Sequence, residues 1–193
     1  MATMPTIPFA FDECRVVASM MLDGLDRSEI REAVHAGNLF DTKSDSSEKK
    51  VFDYTYNRLK TYPDELKTYI LSDDYSDSRM ANLLSIMEYD RLFGEFVLEV
   101  YSDCRLRRNP ITDYDIMSFF ERKTLESETV SEWKHVTLFK LRRLYTRILF
   151  EAGFLKTSSG EREITTPFIS SGLIDSAVRL GYGEYIYATL GRI

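Results

Sequence analysis

Residues 131–165 read SEWKHVTLFKLRRLYTRILFEAGFLKTSSGEREIT. Leu141, Leu144, Tyr145 and Ile148 recur at three- and four-residue steps, which predicts a helix from about Leu138 to Ala152 with one apolar face. Gly153 stops it. Phe154–Thr157 and Arg162–Thr166 follow as two short β-prone runs around a Ser-Ser-Gly-Glu turn. Upstream, Thr112 starts a helix in TDYDIMSFFERK, and Ser127 or Thr129 caps a short one within SETVSEWK. Helix, short helix, turn, helix and hairpin is the order of a winged helix-turn-helix. A lone hairpin is marginal in water, so it needs those helices over its apolar side. Trp133 reads as a core anchor between them.

The same stretch carries the charge that suggests a ligand. Between Glu132 and Glu151 there is no acidic residue, but Lys134, Lys140, Arg142, Arg143 and Arg147 all occur. Lys140, Arg143 and Arg147 share the face opposite the apolar stripe, and no carboxylate is expected four residues away to pair with them. Such a face can lie along a nucleic-acid groove, where guanidinium forks bind phosphates or guanine edges. Thr137 is read as the cap that points the helix N-terminus at a phosphate. Lys156 and Arg162 would flank the wing turn. Arg105, Arg107 and Arg108, in the basic run RLRRNP, would touch the backbone nearby.

Before Pro110 the grammar is purely helical. Asp12 is read as the cap of a first helix to about Asp23, with Cys14, Val17 and Met20 or Met21 inward. Ser28 or Asp26 opens a second helix, which Gly37 stops. Asp45 and Glu48 form a variant capping box for a third. Pro63 starts a fourth with Leu66, Tyr69 and Ile70 inward. Two apolar stripes follow, Met80–Met87 and Leu92–Val100. They are out of phase across Asp90 and Arg91, so two helices or a kink are expected near Glu88–Gly94. The chain therefore reads as all-α with one small β-hairpin, a helical bundle over 1–108 followed by a winged-helix-like part over 109–193.

Charge divides along a similar line. The 193 residues carry a formal net charge of −6. Residues 1–103 hold 11 Lys or Arg against 20 Asp or Glu, and residues 104–193 hold 14 against 11. A basic half could face a polyanion that repels the acidic half. The most apolar run, Val16–Leu22, is far shorter than the roughly 20 residues of a membrane span. MATMPTIPFAF has no basic residue and no secretory pattern. Cys14 and Cys104 form no framework and read as reduced thiols of a cytoplasmic protein. Zinc-binding, phosphate-loop, dinucleotide and nucleophile-elbow motifs are all missing, so no catalytic residue, cofactor or metal is expected.

The segments also resemble a known family. Met21-Leu22 with Gly24, the NLF of Asn38–Phe40, Arg58-Leu59, DRLFGEFVLEVY (Asp90–Tyr101) and ITDYDIMSFFERK (Ile111–Lys123) carry the resemblance. So does SEWKHVTLFKLRR (Ser131–Arg143), leading into LFEAGFL. Together they resemble the BrxA family of bacterial BREX, or bacteriophage exclusion, systems. The resemblance implies a small helical accessory protein of phage defence. One part would be similar to the antiterminator NusB and another to a DNA-binding winged helix. No catalytic residue carries over. Expected partners are double-stranded DNA, other BREX components and a second copy of the chain, with no membrane. A protein–protein scaffold without nucleic-acid contact and an RNA-binding NusB-like module are the alternatives.

Overall fold

The computed structural model describes residues 9–192. The leader reading of MATMPTIP therefore lies outside the described residues. The elements are α1 (Phe11–Leu22), α2 (Arg27–Ala36), α3 (Asp45–Leu59), α4 (Asp64–Ile70), α5 (Tyr75–Tyr89) and α6 (Arg91–Phe96). A π turn, Val97–Tyr101, leads from α6 into α7 (Ser102–Arg107). Then come α8 (Asp113–Glu126), α9 (Glu128–Ser131), α10 (His135–Glu151) and α11 (Ser171–Ala177). A second π turn, Val178–Tyr182, joins α11 to α12 (Gly183–Leu190). The class is mainly helical, as the periodicity predicts.

Local chemistry sets most boundaries. Asp26 makes a full capping box with Glu29 at α2, and Thr112 makes one with Asp115 at α8. Ser127 caps α9. The phase slip is a real break: Asp90 leaves helical geometry at ψ 97, ends α5, and accepts the Phe93 N–H at 3.0 Å to open α6. Two expected caps move by a residue or more. Ser44 rather than Asp45 caps α3, because its hydroxyl reaches the Ser47 N–H. Asp12 lies inside α1, which starts from Ala10 in the left-handed region with no side-chain cap.

Packing crosses the 108/109 position repeatedly. α1 lies on α3 and α4, and α4 on α5. From the far end of the chain, α11 returns onto α4 and α12 onto the first π turn. Asp77 of α5 accepts from the Ser170 backbone at 2.9 Å and from its hydroxyl, fixing the start of α11. Between α6 and α8 the ring of Tyr145 meets Phe93, Phe96 and Phe120 with centroids 5.1, 5.4 and 5.6 Å away. Nearby, Lys123 of α8 is buried and reaches Glu95, Glu99 and Glu126 at 2.9, 2.6 and 3.0 Å. Burial works against its charge, but Glu99, Glu95 and Glu126 outweigh it and raise its pKa above the ordinary lysine value.

The hairpin is reduced to isolated antiparallel bridges, Leu155 with Ile164 and Ile111 with Arg162. The segment before α8 thus joins the hairpin's edge. Among the described residues no helix is long and apolar enough to cross a membrane. Both cysteines are free and buried. Burial, with Asp115 and Asp103 nearby, pushes the Cys104 thiol up to about 11, and burial also raises Cys14. At pH 8 the Cys104 thiolate fraction is then roughly one in a thousand. Both thiols should stay silent to Ellman's reagent at pH 8 until denaturant is added. Rapid labelling of the native protein would contradict this packing.

Candidate nucleic-acid interface

Helix α10 is divided as its sequence demands. Leu141, Leu144, Tyr145, Ile148 and Leu149 are buried, while Lys140, Arg143 and Arg147 are exposed. Lys134 is the residue at which the chain turns into the helix, with no side-chain cap. Thr137 is therefore not the cap. It sits within the first turn, because α10 begins at His135, earlier than the apolar stripe suggests.

The cationic face borders a cleft of about 680 Å³. One wall is the start of α8, another is α10, and the third is the Ser158–Gly160 turn. The turn is tied down from both sides. The buried Thr146 hydroxyl of α10 donates to the Ser158 carbonyl at 3.1 Å. Arg162 donates to the Gly160 carbonyl and to Asp113 of α8, both at 2.8 Å. Arg162 is thus a buried strut rather than a cation flanking the wing. Its position beside the turn is as expected, but its charge faces inward, toward a carboxylate 49 positions away in sequence.

Other expected contacts divide in the same way. Arg147 has the acidic partner the sequence reading denied it: Glu151, four residues on, at 2.7 Å. Glu151 also accepts the Phe9 N–H at 3.2 Å. Lys156 pairs with Glu163 across the bridged hairpin. Arg105 donates to the Ala188 and Tyr187 carbonyls at 3.0 and 3.1 Å, closing the end of α12. Arg107 pairs with Asp103 at 3.1 Å. Arg108 is exposed in the left-handed region at φ 57, the C-cap of α7. Arg142 lies over the Phe120 ring, and its buried Nε has no acceptor among the described residues.

Sequence reasoning passed over one side chain of this face. Phe139 is 58% exposed and lines the cleft beside Met117, which is 42% exposed. The Arg143 guanidinium lies 5.9 Å from the Phe139 ring centroid. The four-residue step from Phe139 to Arg143 already put the ring on the cationic face. Among the described residues no group of three or more His, Cys, Asp or Glu could hold a metal ion.

The BrxA family model matches residues 1–178. A "BREX protein BrxA" of Bacillus cereus (strain H3081.97) is 35% identical over 191 residues, covering 98% of this chain and 96% of that one. A "BREX protein BrxA" of Paramagnetospirillum magneticum (strain ATCC 700264 / AMB-1) is 24% identical, covering 90% and 87%. The crystal structure of an uncharacterized protein from Magnetospirillum magneticum shares the fold, with a TM-score of 0.81 at 21% identity over 96% of this chain and 95% of that one. This chain belongs to the BrxA family.

The different roles of two arginines are measurable. Arg162→Ala removes charged hydrogen bonds from a buried strut, each worth about 1.5–3 kcal/mol, and should lower the urea midpoint clearly. Arg143→Ala, on the exposed face, should cost about 0.5 kcal/mol or less. Equal midpoints for the two variants would contradict the strut.

Proposed function

We propose that this chain is a non-enzymatic component of a BREX-type bacteriophage defence system that binds double-stranded DNA through α10 and acts with other BREX proteins. Family membership supports the defence role. One observation carries the DNA reading: a 17-residue helix buries its aliphatic face and turns Lys140 and Arg143 to solvent, with no carboxylate partner for either among the described residues. Across the cleft Asp113, the one acidic lining residue among the described residues, is already held by Arg162. Cations gathered around a cleft with no free carboxylate favour a polyanion.

The order α8, α9, α10 and bridged hairpin supports the winged-helix reading, in which the third helix would enter the major groove. Lys134 stands at the start of α10, Lys140 and Arg143 along it, and Arg147 farther on, able to exchange Glu151 for a phosphate. The acidic first half keeps DNA on this side of the molecule and offers a surface for partner proteins. A scaffold without nucleic-acid contact is the second reading. Tyr114 and Leu125, 78% and 89% exposed on α8, favour it. The RNA reading has only the NusB analogy behind it.

Salt dependence tests the proposal. If Lys140 and Arg143 each neutralise a phosphate, the plot of log K against log salt should lose about 1.8 from its slope in the Lys140→Ala/Arg143→Ala variant. The loss of affinity should be alike on unrelated duplexes. No duplex binding by the wild type at low salt, or an unchanged slope, would favour the scaffold.

A further inference from the structure

The cleft beside α10 has more apolar surface than a phosphate-binding groove needs. Ile116 and Leu144 are buried at its base, and Met117 and Phe139 stand exposed on its walls. A phenyl ring gains little from phosphate oxygens or from solvent. A flat ring of matching size, by contrast, stacks on it whatever the base identity. The cations around Phe139 specify what carries that ring. The Arg143 guanidinium is 5.9 Å from the phenyl centroid, and Lys140 is the next residue along. A nucleotide carries both groups, a planar base for the ring and an anionic phosphate for the cations beside it.

We infer that the cleft takes one unpaired base of bound DNA, stacked on Phe139 with its phosphates on Lys140 and Arg143. This rests on the nucleic-acid reading of α10 and deepens it: the preferred ligand is DNA with an unstacked nucleotide, such as a bulge, a frayed end or a single strand. A fully paired duplex would meet the cations and leave the ring unused. The roughly 680 Å³ of the cleft accommodates a base without moving the Ser158–Gly160 turn, which Thr146 and Arg162 hold open.

The test compares three oligonucleotides of equal length at one salt concentration: a paired duplex, the same duplex with one extra unpaired base, and a single strand. The full-length wild type should bind the second and third more tightly than the first. Phe139→Ala should weaken those two by roughly 5- to 150-fold, the range for loss of one aromatic–base stack, and the paired duplex much less. Phe139→Trp should retain binding, and its fluorescence should be quenched as the oligonucleotide is added. Lys140→Ala/Arg143→Ala should weaken all three. Circular dichroism and the urea midpoint of Phe139→Ala should match the wild type, since the ring is exposed. If Phe139→Ala binds bulged and paired DNA as the wild type does, the stacking inference fails while the DNA reading stands. If the wild type binds none of the three, both fail.

Discussion

Tyr145 sits among Phe93, Phe96 and Phe120, and Phe119 stacks edge-on to Phe96 and Phe120 at 5.3 Å each. These five rings come from α6, α8 and α10, so they lock the basic helix onto both halves of the chain. Edge-to-face pairs contribute about 0.5–1.5 kcal/mol each beyond the area they bury. Their geometry matters more than their sum. With Tyr145 fixed inward, the 100° step of the helix turns Lys140, Arg143 and Phe139 outward. The Lys123 clamp on Glu95 and Glu99 ties α8, the facing wall of the cleft, to the segment around the first π turn.

That constraint explains which features were legible in the sequence. The apolar stripes Leu92–Val100 and Leu141–Ile148, the break at Asp90, the cap at Thr112 and the choices between Ser28 and Asp26 and between Ser127 and Thr129 all depend on neighbours within a few residues. Periodicity and spacing therefore reveal them. The two faces of α10 were legible for the same reason. Arg147 and Glu151 could have been paired from their four-residue step, and Phe139 could have been put on the exposed face by the same arithmetic.

The rest depends on distance in sequence. Arg162 resembles any wing cation until Asp113, beside Thr112 at the start of α8, is found against it. Arg105 resembles a basic linker until α12 returns to offer it carbonyls. Thr137 resembles a cap because the apolar stripe begins at Leu138, whereas the chain turns helical at His135, and His135 and Val136 are exposed and leave no periodic trace. Five cations expected to face a ligand, Arg105, Arg107, Arg147, Lys156 and Arg162, are thus engaged within the protein. The candidate surface contracts to α10 and its cleft, and gains an aromatic ring.

The charge asymmetry gives this surface an orientation. Lys43, Lys49 and Lys50 are as exposed as Lys134 and Lys140, but lie in the acidic half. Lysine footprinting separates the two sets in one experiment, by acetylating the full-length protein with and without duplex DNA at low salt and mapping the modified peptides. The account predicts that DNA shields Lys134 and Lys140 while Lys43, Lys49 and Lys50 react as before. Shielding of the acidic-half lysines, with Lys140 still reactive, would contradict it.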